Sequence, residues 1–225
     1  MIRAAVFNLS KAHTFLEKVE PEKYLFNKDF DTYNSYLTKE DKLRMLASRI
    51  LLDNLLKKFF NQKYSVSKLQ KNEKGKPFIH GLRGLSISHS GDYAVVSISE
   101  NTGVGIDIQK VGNFPEKDIH SILNQDEKLV YQSITDEDKQ QWFFNLWSKK
   151  EAFLKAIGEG LAIEMKEITL MEDKNEIIFR NNKWYFAEIP NIENYTLQFC
   201  KADKYAKINW YNWEQNHLTY ISQLE

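Results

Sequence analysis

The feature that most constrains the fold of this chain is a pair of long amphipathic segments, one in each half of the sequence. Between residues 39 and 60, apolar residues recur every three or four positions, which places them on one face of a helix. Thr38 stands where a helix N-cap is expected. A second long helix is predicted for 137–157, with Thr135 as its cap and Gly158 at its end. Each helix needs another layer of structure to cover its apolar face.

Segments rich in β-branched and aromatic residues predict strands beside both helices. They cover 2–9, 84–91, 93–99, 104–108, 168–171, 176–180, 183–189, 195–201 and 206–211. The second and third segments flank a short turn and predict a hairpin, and shorter helices are predicted at 116–123 and 125–132. The pattern predicts an α+β protein of two similar-sized halves, 1–102 and 103–225.

Composition narrows the classes of function. Basic and acidic residues number 31 each, whereas proteins that bind the nucleic acid backbone usually carry a basic excess, so no nucleic acid partner is expected. The single cysteine, Cys200, excludes an internal disulfide and a cysteine-based zinc cluster, and we expect it to be a buried apolar residue. No apolar run approaches the ~20 residues that span a bilayer, and no signal-peptide core is present, so a cytoplasmic protein with no membrane partner is expected.

Polar residues in two of the predicted elements suggest a metal site. Asp107 lies in a strand that reads as buried, where an acid is costly unless it is paired or binds a metal ion. Gln109 points to the same side, because side chains alternate along a strand. Glu151 and Lys155 are one turn apart on the second long helix. If the strand and the helix meet, two carboxylates and an amide oxygen would suit Mg²⁺ or Mn²⁺, with the lysine against a phosphate.

The same residues also allow ordinary structural roles. Glu151 and Lys155 have the spacing of a common helix salt bridge, worth ~0.3–0.5 kcal/mol. A single histidine in a turn, such as His89, is usually a hydrogen-bond partner. The basic residues of the first long helix read most simply as a solvated face, and they are Lys39, Lys42, Arg44 and Arg49. The individual residues leave both interpretations open.

An ordered set of motifs favours the functional interpretation. Gly105-Ile106-Asp107 is followed by the longer motif Trp147-Ser148-x-Lys150-Glu151-Ala152-x-x-Lys155. The flanking fragments, in chain order, are Lys39-Glu40-Asp41 with Arg44, Gly75-Lys76-Pro77, Ile87-Ser88-His89-Ser90 and Gly158-x-Gly160-Leu161. The set covers roughly 39–161 and resembles the 4′-phosphopantetheinyl transferase superfamily. The second motif is similar to the W/KEA form of the Sfp type, which activates carrier domains of peptide, polyketide and fatty-acid synthases.

The resemblance implies a fold and a reaction. The family fold is a pseudo-dimer of two α+β halves, each a long helix packed on a small antiparallel sheet. Residues 1–102 would contact the coenzyme A nucleotide, and 103–225 would carry the metal and catalytic motifs. The implied reaction is Mg²⁺-dependent, with Mn²⁺ as an alternative ion. It transfers the 4′-phosphopantetheine arm of coenzyme A to a serine of an apo acyl or peptidyl carrier protein and releases 3′,5′-ADP. A monomer is expected.

The resemblance also implies roles for individual residues. Asp107 and Glu151 would hold the metal ion, with Gln109 in the third position. Glu151 would also help to deprotonate the carrier serine, and Lys155 would steady the pyrophosphate. The implied coenzyme A contacts are Arg44, Lys76, Pro77, Ser88, His89, Asp107 and Lys155.

The resemblance leaves two features less well defined, the third metal ligand and the carrier-binding surface. Many relatives have an acid where this chain has Gln109, and an amide brings no charge, so we expect weaker metal binding than in a three-acid relative. The carrier-binding surface is expected at roughly 112–130 and 155–166. Candidate residues there are Lys128, Leu129, Leu161, Met165 and Lys166.

Two other functions remain open on the sequence. The chain could hold coenzyme A or a carrier protein without efficient chemistry, with the replaced acid as the mark of that role. It could also be a different metal-dependent enzyme that acts on a phosphate ester. The second alternative leaves the Gly75-Lys76-Pro77 and Ser88-His89 matches unexplained.

Overall fold

The computed structural model describes residues 1–61, 63–114, 116–159, 162–170, 175–187 and 189–224. Its α-helices in these ranges are α1 (His13–Leu16), α2 (Lys28–Ser35), α3 (Lys39–Phe60), α4 (Glu116–Ile122), α5 (Gln125–Ser133) and α6 (Asp136–Ile157). Its strands are β1 (Ile2–Asn8), β2 (Gln70–Lys71), β3 (Pro77–Phe78), β4 (Gly84–Ser90), β5 (Tyr93–Ser99), β6 (Val104–Lys110), β7 (Glu176–Phe179), β8 (Asn182–Ala187), β9 (Tyr195–Lys201), β10 (Ile208–Glu214) and β11 (His217–Leu224). The predicted α+β class is confirmed.

The two long helices begin and end where local chemistry favours it. The Thr38 hydroxyl accepts a hydrogen bond from the Asp41 amide at 3.1 Å and caps α3, which ends at Asn61 in a left-handed conformation. Helix α6 ends at Gly158, whose φ of 77° is left-handed and whose N–H donates to the Leu154 carbonyl. Both long helices match the predicted segments.

The first sheet has the strand order β11-β10-β1-β5-β4. Strands β4 and β5 form the predicted antiparallel hairpin. Strand β1 pairs with β5 antiparallel and with β10 parallel, so this sheet is mixed, whereas the resemblance implied an antiparallel one. Strands β10 and β11 come from the end of the chain, so the last part of the predicted half 103–225 completes the sheet of the first half. The physical reason is that β1 is buried and offers a second edge, which β10 fills.

The second sheet has the order β6-β9-β8-β7, and all of its pairs are antiparallel. Helix α6 packs on β6 and β9. The strand predicted at 168–171 is wrong for 168–170, which pair with no strand, and residue 171 lies outside the described residues. Ile168 and Leu170 are buried in the core beside α6, so their apolar alternation reflects packing rather than strand pairing.

Three apolar clusters account for the core. One lies between α3 and the first sheet, a second surrounds α6, and a third joins the two sheets through residues such as Val95, Ile106 and Phe199. Cys200 is buried and free, as predicted, and burial raises the pKa of its thiol. Among the described residues, no helix combines the length and apolarity needed to cross a bilayer.

Serine side chains connect the two sheets where β4 and β6 run side by side. Their hydroxyls accept hydrogen bonds from backbone N–H groups of β6, in the place of the backbone carbonyls of a paired strand. The pairs are Ile106 N–H to Ser86 at 3.0 Å, Ile108 N–H to Ser88 at 3.3 Å and Lys110 N–H to Ser90 at 2.9 Å. The serines therefore hold the edges of the two sheets together, and Ser86 and Ser88 also line cavities there.

Candidate active site

Asp107 is the buried centre of the site. Its side chain has no exposure, and Lys155 Nζ lies 2.6 Å from Oδ1. The Ser88 hydroxyl donates to the same oxygen at 2.8 Å, and the Gln109 amide donates to Oδ2 at 3.3 Å. Lys155 also donates to Ser88 at 2.9 Å. The buried carboxylate is thus held by a cation and two neutral donors, which offset the cost of removing it from water.

Small residues bring helix α6 against strand β6. A Cβ at Gly105 would overlap the Ala152 carbonyl oxygen and crowd the Ala156 amide. One turn earlier on α6, the buried Ser148 and Thr196 hydroxyls share a hydrogen bond of 2.7 Å. Only glycine permits the approach at Gly105, and that approach brings Lys155 to Asp107.

Glu151 is half-buried and lines the same cavity as Asp107. Burial raises the pKa of the Glu151 carboxyl, the negative charge of Asp107 raises it further, and Lys155 opposes the rise. A carboxyl shifted toward neutral pH is suited to accept a proton in catalysis.

Most of the predicted site residues line one cavity of about 350 Å³. These residues are Pro77, Ser88, His89, Asp107, Gln109, Glu151 and Lys155. An adjoining cavity of about 260 Å³ shares Pro77, Ile87, Glu151 and Lys155 with it and adds Lys76. The two cavities form one cleft, with β3 and β4 on one side and α6 on the other.

Positive charge gathers around His89. Burial lowers the pKa of the His89 imidazole, and the charges of Lys155, Arg44 and Arg49 lower it further. Arg44 lines neither cavity, and it donates to the Gly91 carbonyl at 3.2 Å, in the turn that follows β4. Each of these three cations is also paired with a carboxylate, Lys155 with Asp107, Arg44 with Asp41 and Arg49 with Asp29.

Arg49 corrects the interpretation of the basic residues on α3 as a solvated face. It is buried and pairs with both carboxylate oxygens of Asp29 on α2, at 2.5 and 3.1 Å. It also lines the cavity, as do Thr32 and Tyr36. The sequence did not identify this wall, because nothing local indicates that α2 packs against α3.

Lys76 lines the adjoining cavity of about 260 Å³. Its ammonium donates to the Ala156 carbonyl at 2.9 Å, near the C-terminus of α6, and burial lowers its pKa to about 8. Lys76 therefore ties the first half of the chain to the end of α6. It also carries a charge that is sensitive to mildly alkaline pH.

The oxygen donors fit a hard divalent cation. Asp107 and Glu151 supply carboxylates, and Gln109 uses its amide N–H on Asp107, which leaves its carbonyl oxygen available. Within the described part of the chain, no group of three histidine, cysteine, aspartate or glutamate side chains could hold a metal ion. Gln109 lines the same cavity as the two carboxylates.

The fold brings two carboxylates, an amide and a lysine together in one cleft. Comparison with known proteins identifies the family. A model of the 4′-phosphopantetheinyl transferase superfamily matches residues 103–200, and a model of the 4′-phosphopantetheinyl transferase N-terminal region matches 17–101. The chain belongs to the 4′-phosphopantetheinyl transferase superfamily, and the predicted Sfp-like type is also confirmed.

Two curated relatives illustrate the match. The 4′-phosphopantetheinyl transferase gsp of Aneurinibacillus migulanus is 32% identical over 66% of this chain and 62% of its own length. The L-aminoadipate-semialdehyde dehydrogenase-phosphopantetheinyl transferase of Mus musculus is 30% identical over 68% of this chain and 52% of its own length. The matches thus span between half and two thirds of these relatives. A Thermotoga maritima holo-[acyl-carrier-protein] synthase structure overlaps 50% of this chain and 70% of its own, with 18% identity and a TM-score of 0.34, an overlap too limited to bear on the fold.

Proposed function

We propose that the protein transfers the 4′-phosphopantetheine arm of coenzyme A to a serine of an apo carrier protein. The serine oxygen forms a bond to the phosphorus that bears the pantetheine arm, the bond from that phosphorus to the bridging diphosphate oxygen breaks, and 3′,5′-ADP leaves. The observation that carries the proposal is the convergence of Asp107, Glu151 and Lys155 beside His89 in one cleft. Membership of the superfamily supports it.

Asp107, Glu151 and Gln109 would hold Mg²⁺, with Mn²⁺ as an alternative. When bound, the cation supplies positive charge that neutralises the diphosphate as the bond breaks. The donor set supports this assignment, because two carboxylates and an amide oxygen are hard ligands.

Glu151 is the proposed general base for the carrier serine. The pKa of Glu151 is raised toward the working pH, and a general base works best when its pKa lies near that pH. Lys155 would steady the pyrophosphate as negative charge moves onto the leaving phosphate. Its present pairing with Asp107 and Ser88 fixes the ammonium at the cleft.

The first half of the chain, 1–102, would supply the contacts to the coenzyme A nucleotide. The proposed contacts are Arg44, Lys76, Pro77, Ser88 and His89, together with Asp107 and Lys155. Lys155, Arg44 and Arg49 lie near His89, and a phosphate there would share these cations with their carboxylate partners.

Helix α5 is the proposed site of carrier docking. Leu129 and Val130 are 58% and 39% exposed on it, and Lys128 is half-buried beside them. Met165 and Lys166, in the 3₁₀ turn after α6, would extend this surface. Leu161, the remaining predicted residue, lies outside the described residues.

We also propose that the protein works as a cytoplasmic monomer, with no nucleic acid or membrane partner. The balance of 31 basic and 31 acidic residues supports the absence of a nucleic acid partner.

Intact-mass spectrometry of several apo carrier proteins, incubated with the protein, coenzyme A and Mg²⁺, tests the proposed function. We expect a mass increase of one phosphopantetheine arm, lost in Asp107→Ala. No addition to any carrier would contradict the proposal.

If the wild type and Asp107→Ala both bound coenzyme A or carrier without transfer, the protein would be a binding module. The replacement of an acid by Gln109 is the feature that favours this second function.

A further inference from the structure

A fully buried ion pair lies one residue from Glu151 and outside the cleft. Lys150 has 0% exposure, and its ammonium lies 2.5 Å from Oε2 of Glu127, which is also buried. Neither residue lines either cavity of the cleft. The steps proposed above use neither of them. A buried charge pair is costly to desolvate and is weak evidence of a gain in stability. We therefore consider a role in positioning neighbouring elements.

The Lys150 ammonium has three acceptors, as many as it has protons to donate. Besides Glu127, it donates to the Ile122 carbonyl at 2.7 Å and to the Met165 carbonyl at 3.0 Å. Ile122 is the last residue of α4, and Met165 begins the 3₁₀ turn after α6. One side chain of α6 therefore holds the segments that flank it on both sides.

Glu127 completes the connection, because it also fixes the start of α5. Its Oε2 accepts from the Asn124 amide at 2.9 Å, and the Asn124 side chain accepts from the Glu127 amide at 2.9 Å, which is a reciprocal capping box. Its Oε1 accepts from the Leu170 amide at 3.4 Å. Glu127 thus connects the start of α5 to Lys150 on α6 and to the backbone at Leu170.

Helix α5 carries the exposed apolar residues Leu129 and Val130, two and three positions after Glu127. Helix α5 also contacts α6 through Tyr131, whose ring centroid lies 6.0 Å from that of Trp142 and 5.6 Å from the Lys139 ammonium. The Lys150–Glu127 pair therefore joins the helix that carries this apolar surface to the helix that carries Glu151, the residue after Lys150.

We infer that the Lys150–Glu127 pair positions α5 against α6, so that a carrier protein docked on Leu129 and Val130 presents its serine to Glu151. Both are positioning residues, since they act through the docking helix and touch no reacting atom. The inference rests on the proposed transferase function and goes beyond it, because it assigns the coupling of docking to catalysis to one buried pair.

Steady-state kinetics of three variants test the inference. Glu127→Gln keeps the shape and the capping of α5, Lys150→Met removes the cation, and the double variant Lys150→Met/Glu127→Gln leaves no unpaired buried charge. We expect the KM for apo carrier to rise by about tenfold or more in each variant, whereas the KM for coenzyme A stays within about twofold. The double variant should recover the thermal stability lost in Lys150→Met but not the KM for carrier.

A matched control separates positioning from general loss of stability. Asp53 is also buried and pairs with Lys57 at 2.7 Å, and both residues lie on α3, the other long helix. Asp53→Asn should lower the thermal stability and leave both KM values unchanged. An unchanged KM for carrier in Glu127→Gln, or full recovery of that KM in the double variant, would overturn the inference.

Hydrogen exchange gives a second readout that does not depend on activity. In Glu127→Gln, the amides of α5 should exchange faster than in the wild type, and those of α6 should not change. Equal exchange in α5 would also overturn the inference. If the wild type transfers nothing to any carrier, the proposed function fails, and the exchange experiment still decides whether the pair holds α5.

Discussion

At the scale of single residues, Gln109 is where this site departs from a three-acid metal site. Its amide donates to Asp107 at 3.3 Å and lines the cavity with both carboxylates. An amide oxygen can bind a cation but adds no charge to hold it.

Replacement of Gln109 by glutamate should strengthen metal binding. We expect the Mg²⁺ concentration for half-maximal activity to fall by about tenfold, because a charged ligand in contact with the cation is worth on the order of 1 kcal/mol or more. A Mg²⁺ titration of the transfer rate measures the change, with Gln109→Asn as the uncharged control. Equal half-maximal concentrations in Gln109→Glu and the wild type would show that the third position does not set the affinity.

Lys76 gives the site a pH dependence. Its pKa of about 8 means that the side chain is charged below that pH and neutral above it. If it contacts coenzyme A, the KM for coenzyme A should rise as the pH increases through 8, because a phosphate contact loses its cation. Arginine stays charged throughout this range, so Lys76→Arg should flatten the rise. The same rise in both proteins would assign the effect to another group.

The sequence predicted the acids and the lysine of the site but not their surroundings. Asp107, Glu151 and Lys155 were identifiable because strand alternation, helical spacing and motif order all point to them. Arg49 was misassigned, since its burial depends on Asp29, 20 residues away on another helix. The bond between Ser88 and Asp107 depends on two strands that share no sheet, and no local pattern indicates it.

At the scale of elements, the approach of α6 to β6 is the contact on which the site geometry depends. Gly105→Ala should destabilise the protein by about 1–3 kcal/mol and impair transfer, because the new methyl group overlaps the Ala152 carbonyl. Gly112→Ala is the matched control, since a Cβ there meets nothing within 4 Å. Urea unfolding of both variants measures the difference. Equal losses would indicate that the approach is not tight.

The elements themselves were largely predictable. Helix α3 carries a cap and an apolar face in its own sequence, and the hairpin of β4 and β5 carries its turn. Residues 168–170 have the composition of a strand but are buried without pairing. Burial and pairing leave the same apolar signal in a short segment, so sequence alone could not separate them.

At the scale of the whole molecule, both ends of the chain meet in one sheet. Strand β1 pairs in parallel with β10, and their registers join Ile2 to Ile208. A pairing over this separation has no local sequence signal, which is why the mixed sheet was not predicted. Strand β11 was also not predicted, although it pairs with β10 across a short turn. The functional division into 1–102 and 103–225 stays a prediction.

This topology predicts that the first half does not fold by itself. A fragment of residues 1–102 lacks β10 and β11, so β1 would expose an apolar edge strand. We expect it to show no cooperative thermal unfolding by circular dichroism, and addition of the fragment 103–225 should restore the transition. Cooperative unfolding of the isolated fragment would contradict this interdependence of the two halves.

The most direct test of the central claim is the transfer rate of the Glu151→Gln variant. The rate is measured from the increase in intact mass of an apo carrier protein incubated with coenzyme A and Mg²⁺. Glu137→Gln is the matched control, since it makes the same change in the first turn of the same helix. The proposed role of Glu151 as metal ligand and base predicts a loss of at least about a hundredfold in Glu151→Gln and none in Glu137→Gln. Equal rates of phosphopantetheine addition by both variants would contradict that role.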